Sequence, residues 1–172
     1  LNGGGGANND IRRFYEDAVR LSRMGFSIVM PNYLGATDVP DRRNRAIWRQ
    51  VVVDGVAFAR ALPGVDAHRI VAMGFSRGGW LAGDAAFTLA DINAVVSVAS
   101  GGNLEEAEII RKPPTLLIYA KGDPVVPPEA TRAWERRLKR AEVRVETIVL
   151  EADYHVPLPI DWRRIFDEAR RF

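Results

Sequence analysis

Apolar residues along the chain follow two alternating rhythms. Ile11, Phe14, Ala18 and Leu21 share one stripe at helical spacing, with Asn and Asp residues in front and Gly25 behind, which predicts a capped helix over residues 8–24. The run FSIVM at 26–30 reads as a short buried strand stopped by Pro31, and residues 33–40 read as loop. A second helical stripe (Ile47, Val51, Phe58, Leu62) covers 43–62 and is followed by a strand at 70–73 and a helix at 78–90. Further strands are expected at 94–98, 115–119 and 143–150, with a helix marked by Ala130, Trp134 and Leu138 and a closing helix over 160–172. Near-continuous apolar strands alternating with helices predict an α/β fold: one mostly parallel sheet with helices on both faces.

Composition narrows the function classes. The 172 residues suit a single domain spanning 1–172 with a sizeable core. Net charge is only +2, and arginines such as Arg12, Arg13, Arg42, Arg43, Arg163, Arg164, Arg170 and Arg171 are mixed with acids. That is the pattern of a solvated surface, so no nucleic-acid partner is expected. No window approaches the roughly eighteen uninterrupted apolar residues of a membrane span. The absence of cysteine excludes disulfides, thiolate metal sites and a cysteine nucleophile, and assigns no compartment.

In a parallel α/β sheet the working groups sit on loops at the carboxyl ends of strands. One such loop is Gly74-Phe75-Ser76-Arg77-Gly78, between a strand and a helix. There a serine held in a strained turn projects its hydroxyl, and small neighbours allow strand and helix to pack closely. Glycines around a serine also occur in plain strand–helix turns. The loop after strand 115–119 carries Asp123, a candidate acid or a helix cap, and the loop after 143–150 carries Asp153, Tyr154 and His155. The only other histidine, His68, precedes strand 70–73 and so lies at its opposite end, roughly 16–20 Å from Ser76. Ser76, Asp123 and His155 therefore form the candidate catalytic set: a serine needs an imidazole to take its proton, and the imidazole needs a carboxylate to fix its tautomer. Asp153 is a second possible acid, disfavoured because it precedes His155 by only two residues. No His/Asp/Glu cluster has metal-ligand spacing and no glycine loop suits a phosphate, so neither metal nor cofactor is expected.

The segments LNGGGG, MGFSIVMPNYLGAT, VDAHRIVAMGFSRGG, PPTLLIYAKGDPVVP and EADYHVP together resemble the α/β-hydrolases. They are most similar to dienelactone-hydrolase-like esterases and to the catalytic domain of prolyl oligopeptidase-type peptidases. The resemblance implies an α/β-hydrolase fold with Ser76 as nucleophile, Asp123 as acid and His155 as general base. It also implies an oxyanion hole made by the backbone N–H of Arg77 and by Gly4 and Gly5 of the glycine run, with Asn2 where histidine is usual. A flexible glycine tail is the competing reading of that run.

Leu34 stands where the related peptidases have arginine. Serine rather than cysteine at position 76 departs from dienelactone hydrolases proper. Tyr33, Trp80 and Tyr154 flank the expected site as substrate-binding candidates or as core aromatics, and the Arg77 side chain either meets an acidic substrate or pairs with a surface carboxylate. Residues 100–113 leave room for one short helix around 105–111, hence a lidless cleft suited to small esters. The implied activity is hydrolysis of a small-molecule ester. Alternatives are cleavage of a short peptide and a non-catalytic binding role. In this family the glycine run follows a central strand between the equivalents of 26–30 and 70–73. Because the chain opens at Leu1-Asn2-Gly3, the resemblance implies that N-terminal strands belong upstream.

Overall fold

The computed structural model describes residues 1–36 and 42–172, with backbone alone described for 7–11 and 42. Helix α1 (Ala7–Arg23) is followed, after a stretch without regular structure and two short 3-10 turns, by α2 (Arg45–Ala61). Then come β1 (Val71–Phe75), α3 (Arg77–Thr88), β2 (Ala94–Val98), β3 (Thr115–Ala120), α4 (Pro128–Arg140), β4 (Val145–Leu150) and α5 (Pro159–Arg171). The strands form one parallel sheet in the order β1-β2-β3-β4. Apart from the strand expected at 26–30, the predicted elements recur with ends shifted by a few residues. The expected Asn/Asp cap of α1 is Gly6 instead, with φ +92°, and the expected helix near 105–111 is a single 3-10 turn, Glu106–Glu108.

Side-chain alternation along the strands sorts the core into two layers. Val96 and Val98 of β2 and Leu116 and Ile118 of β3 point to one face, where Phe14 of α1 and Trp162 and Ile165 of α5 cover them. Arg20 of α1 donates to Asp167 of α5 at 2.7 Å, tying these two helices together. The opposite residues face the other way: Val95 packs with Leu81, Ala82 and Ala85 of α3 and Trp48 and Val52 of α2, and Leu117 packs with Trp134 and Leu138 of α4. Helices on both faces explain why β3 is buried along its whole length. Among the described residues no helix is long and apolar enough to cross a membrane.

Residues 26–30 correct one expectation. They form no strand, and Phe26 and Ile28 are 40% and 42% exposed. An apolar run becomes a strand only when a neighbour takes its N–H and C=O groups, and among the described residues none lies beside it. The outer edge of β1 is occupied only at its carboxyl end: the Leu1 nitrogen donates to the Met73 carbonyl, and the Leu1 carbonyl accepts the Phe75 N–H at 3.2 Å. Those bonds are the two of a parallel ladder centred on Gly74. They deliver the glycine run to the carboxyl end of the sheet.

The α2–α3 seam holds a buried charge. Asp84, with its side chain 1% exposed, accepts two hydrogen bonds from Arg45 and pairs with Arg49 at 3.5 Å. Asp84→Ala would leave both guanidinium groups facing the seam without their carboxylate. We expect it to lower the unfolding free energy by about 3 kcal/mol in urea titrations; a loss below about 1 kcal/mol would show the cluster to be effectively solvated.

Candidate functional site

The loop after β1 is shaped by two close approaches. A Cβ on Gly74 would sit 2.1 Å from the Gly78 carbonyl oxygen, and one on Gly78 would sit 2.4 Å from the carbonyl oxygens of Leu1 and Asn2. Both positions exclude any side chain, because strand, helix and glycine-run stem pass within backbone contact there. Between them Ser76 adopts φ +52° and ψ −119°, a conformation costing on the order of 1–3 kcal/mol in a non-glycine residue. Its N–H donates to the Val98 carbonyl at 2.8 Å, which anchors the turn to β2. Ala99, one residue further on, is also left-handed at φ +50°.

Two other loops arrive at the same end of the sheet. After β3, Asp123 is 4% exposed; its Oδ1 accepts the N–H groups of Val125 and Val126 at 2.8 and 2.9 Å. These bonds close a local turn and leave Oδ2 free to aim elsewhere. The N-cap of α4 is Pro127, so Asp123 is not its cap. After β4, His155 packs its ring on Phe75, centroids 5.1 Å apart. His155 Nδ1 lies 2.8 Å from Asp123 Oδ2, and Nε2 lies 2.9 Å from Ser76 Oγ. With Nδ1–H donated to the carboxylate, the Nε2 lone pair faces the serine hydroxyl, and this relay can take a proton from Ser76. His68 is exposed and its backbone N–H bonds Asp66, while Asp153 is exposed on the loop surface away from the imidazole's bonds.

The glycine run forms a turn, Gly6 N–H to Gly3 carbonyl at 3.3 Å, with Gly4 and Gly5 exposed at its tip. Its stem is fixed by Asn2, which is 3% exposed and donates from Nδ2 to the Gly3 carbonyl. Arg77 opens α3, and the first N–H groups of a helix have no intrahelical acceptor.

The three aromatic candidates part company. Tyr33 is fully buried against Trp48, and its hydroxyl donates to the Asn2 carbonyl at 2.8 Å. It braces the glycine-run stem and offers no surface to a substrate, which removes it from the expected pocket. Trp80 keeps a partly exposed face, with its Nε1–H on Asn103 Oδ1 at 2.7 Å and the Arg45 guanidinium over its ring. Tyr154 donates to Asp161 Oδ2 at 2.5 Å, and the same oxygen accepts the Leu158 N–H. The hydrogen bond to Asp161 holds the Tyr154 phenol above the usual tyrosine range and ties the His155 loop to α5. Among the described residues the Arg77 side chain meets no surface carboxylate; its guanidinium lies over the Trp48 ring. Sequence reasoning missed Asn103 and Arg45, whose partners are 23 and 39 residues away. Nothing local marks either. Among the described residues no three His, Cys, Asp or Glu side chains gather as metal ligands would.

Solved structures similar to this one share its fold. Esterase PE8 superposes with a TM-score of 0.66 at 19% identity, covering 85% of this chain and 67% of its own. Arabidopsis thaliana SOBER1 gives 0.65 at 19%, covering 76% and 65%. Pyrococcus horikoshii acylaminoacyl peptidase gives 0.62 at 19%, covering 76% and 28%. The chain thus spans about two thirds of the length of the first two. No curated protein matches it in sequence. A family model, however, covers residues 5–156, from the glycine run to the residue after His155. With this match over most of its length and the α/β-hydrolase fold of its structural neighbours, the chain belongs to the dienelactone hydrolase family.

Proposed function

We propose that the protein is a serine hydrolase that cleaves a small carboxylic ester through an acyl-enzyme intermediate. The observation carrying this reading is the relay Asp123–His155–Ser76, with contacts of 2.8 and 2.9 Å built from three separate loops. His155 Nε2 takes the Ser76 proton as Oγ attacks the ester carbonyl, and Asp123 steadies the imidazolium that results. Negative charge then grows on the carbonyl oxygen, where the backbone N–H of Arg77 and those of Gly4 and Gly5 supply donors. Such preorganised donors are worth about 2.7–4 kcal/mol each in the transition state. His155 returns the proton to the departing alcohol, and a water repeats the sequence to release the acid.

Two features favour a small ester. Only a short 3-10 turn, Glu106–Glu108, interrupts the segment between β2 and β3, so no lid covers the serine from that side. Val125 and Val156, 63% and 41% exposed, flank the acid and the histidine with apolar surface. The structural neighbours include an esterase and an acylaminoacyl peptidase, names that denote acyl transfer to water and lend the reading support.

A panel of p-nitrophenyl esters of increasing chain length, run beside aminoacyl and prolyl p-nitroanilides, tests it. We expect turnover of the acetate and butyrate esters and stoichiometric labelling of Ser76 by a fluorophosphonate. Anilide cleavage without ester cleavage would reassign the protein to the peptidases, and silence in both assays by folded full-length protein would reject the enzyme reading.

A further inference from the structure

The backbone of Arg77 has a place in the proposed reaction, but its side chain is not explained by that role. The guanidinium carbon lies 5.5 Å from the centre of the Trp48 ring, itself only 1% exposed. A Cβ on Gly4 would lie 3.5, 3.6 and 3.7 Å from Arg77 Cζ, Nη2 and Nε. Near-equal distances to three atoms of a planar group place Gly4 over its face, not at its edge. Nη1 is buried with no hydrogen-bond partner, and the carboxylate on the same helix, Asp84, is taken by Arg45 and Arg49. Arg77 is partly exposed, and a guanidinium nitrogen enclosed this far for stability alone is normally paired. A methionine here would cover Trp48 without an orphaned N–H, so the cation has to do something that an apolar side chain cannot.

What its face looks onto, across the space a methyl group would fill, is the tip of the glycine turn. We infer that the Arg77 side chain is a positioning residue: its flat cation, braced on Trp48, seats the turn and holds Gly4 where its donor meets the developing oxyanion. The inference rests on the serine-hydrolase reading above. Glycines at an exposed tip have wide conformational freedom, and a hole that must be preorganised needs a seat beneath it. Plane and charge can be separated: lysine keeps the charge and loses the plane, and methionine keeps an unbranched chain and loses both.

The test uses full-length protein, a short-chain p-nitrophenyl ester and the rate of fluorophosphonate labelling at Ser76. Arg77→Met is expected to lower kcat about ten- to a hundredfold, as an ångström of misplacement does. KM should stay within about threefold, because a donor that acts only in the transition state leaves ground-state binding alone. Labelling should slow in parallel, Arg77→Lys should fall between the two, and the melting temperature should not drop, since an unpaired buried N–H has been removed. Wild-type kcat in Arg77→Met would overturn the inference. So would a loss carried by KM alone, a loss matched by a lower melting temperature, or lysine no better than methionine. The wild-type control keeps the two readings apart. If the wild-type protein neither turns over ester nor is labelled, the hydrolase reading itself fails and this inference with it. Wild-type activity with an unaffected Arg77→Met sinks only the inference.

Discussion

Ser76→Ala is expected to lower kcat for a p-nitrophenyl ester by about six orders of magnitude, leaving only what binding and oxyanion donors supply. The size follows from the geometry, because among the described residues Oγ is the atom that His155 Nε2 addresses, at 2.9 Å. Among the described residues no neighbouring nucleophile can step in: the chain has no cysteine, and Ser100, the next serine beyond β2, donates its hydroxyl to the Gly101 carbonyl. Folding should hardly change, since alanine retains the Cβ that makes φ +52° costly. Ser76→Gly adds a second, opposite readout. It should be equally inactive yet melt higher than Ser76→Ala, because glycine adopts positive φ without the steric penalty. A Ser76→Ala protein within a hundredfold of wild type, after contaminating esterases are excluded by fluorophosphonate labelling, would show that the relay is not the engine of the reaction. Failure of Ser76→Gly to gain stability would mean that the turn is not strained.

Much of this site could be read from the sequence because loops at one end of a parallel sheet converge whatever their separation along the chain. Ser76, Asp123 and His155 each follow an apolar strand run, and with only two histidines in the chain His68 could be dismissed by its position at the wrong end of β1. Long-range polar bonding was not legible. Tyr33 sits beside a turn-rich loop and reads equally as a pocket aromatic or as a core one. Its burial depends on the Asn2 carbonyl 31 residues away and on the Trp48 ring, neither of which any local pattern announces. The same holds for Arg77, whose stacking on Trp48 depends on the crossing of α2 and α3. Residues 26–30 misled for a different reason. Apolar periodicity reports what a segment would bury, whereas strand formation needs a partner backbone, and FSIVM has the first without the second. Nor did the sequence mark Ala99, which holds φ +50° without the glycine that usually betrays such a turn.

Asp123→Asn is expected to cost about four orders of magnitude in kcat while leaving the fold in place. The asparagine can keep the turn, since its carbonyl oxygen can still accept the Val125 and Val126 N–H groups as Oδ1 does at 2.8 and 2.9 Å. Its NH2 group then faces His155 Nδ1, where Oδ2 now stands at 2.8 Å. Facing a donor, Nδ1 must become the acceptor, which moves the ring proton to Nε2. The imidazole then points a proton at Ser76 Oγ and cannot remove one. The charged form that should appear during the reaction also loses its carboxylate. Asp153 offers no rescue: it is exposed and makes none of the imidazole's bonds, so Asp153→Asn should stay near wild type. The contrast between these two variants decides which aspartate acts. Equal losses, or a loss confined to Asp153→Asn, would mean that the loop after β4 supplies the working carboxylate once substrate is bound. An Asp123→Asn enzyme within tenfold of wild type would mean that its buried carboxylate serves the turn at Val125 and not the reaction.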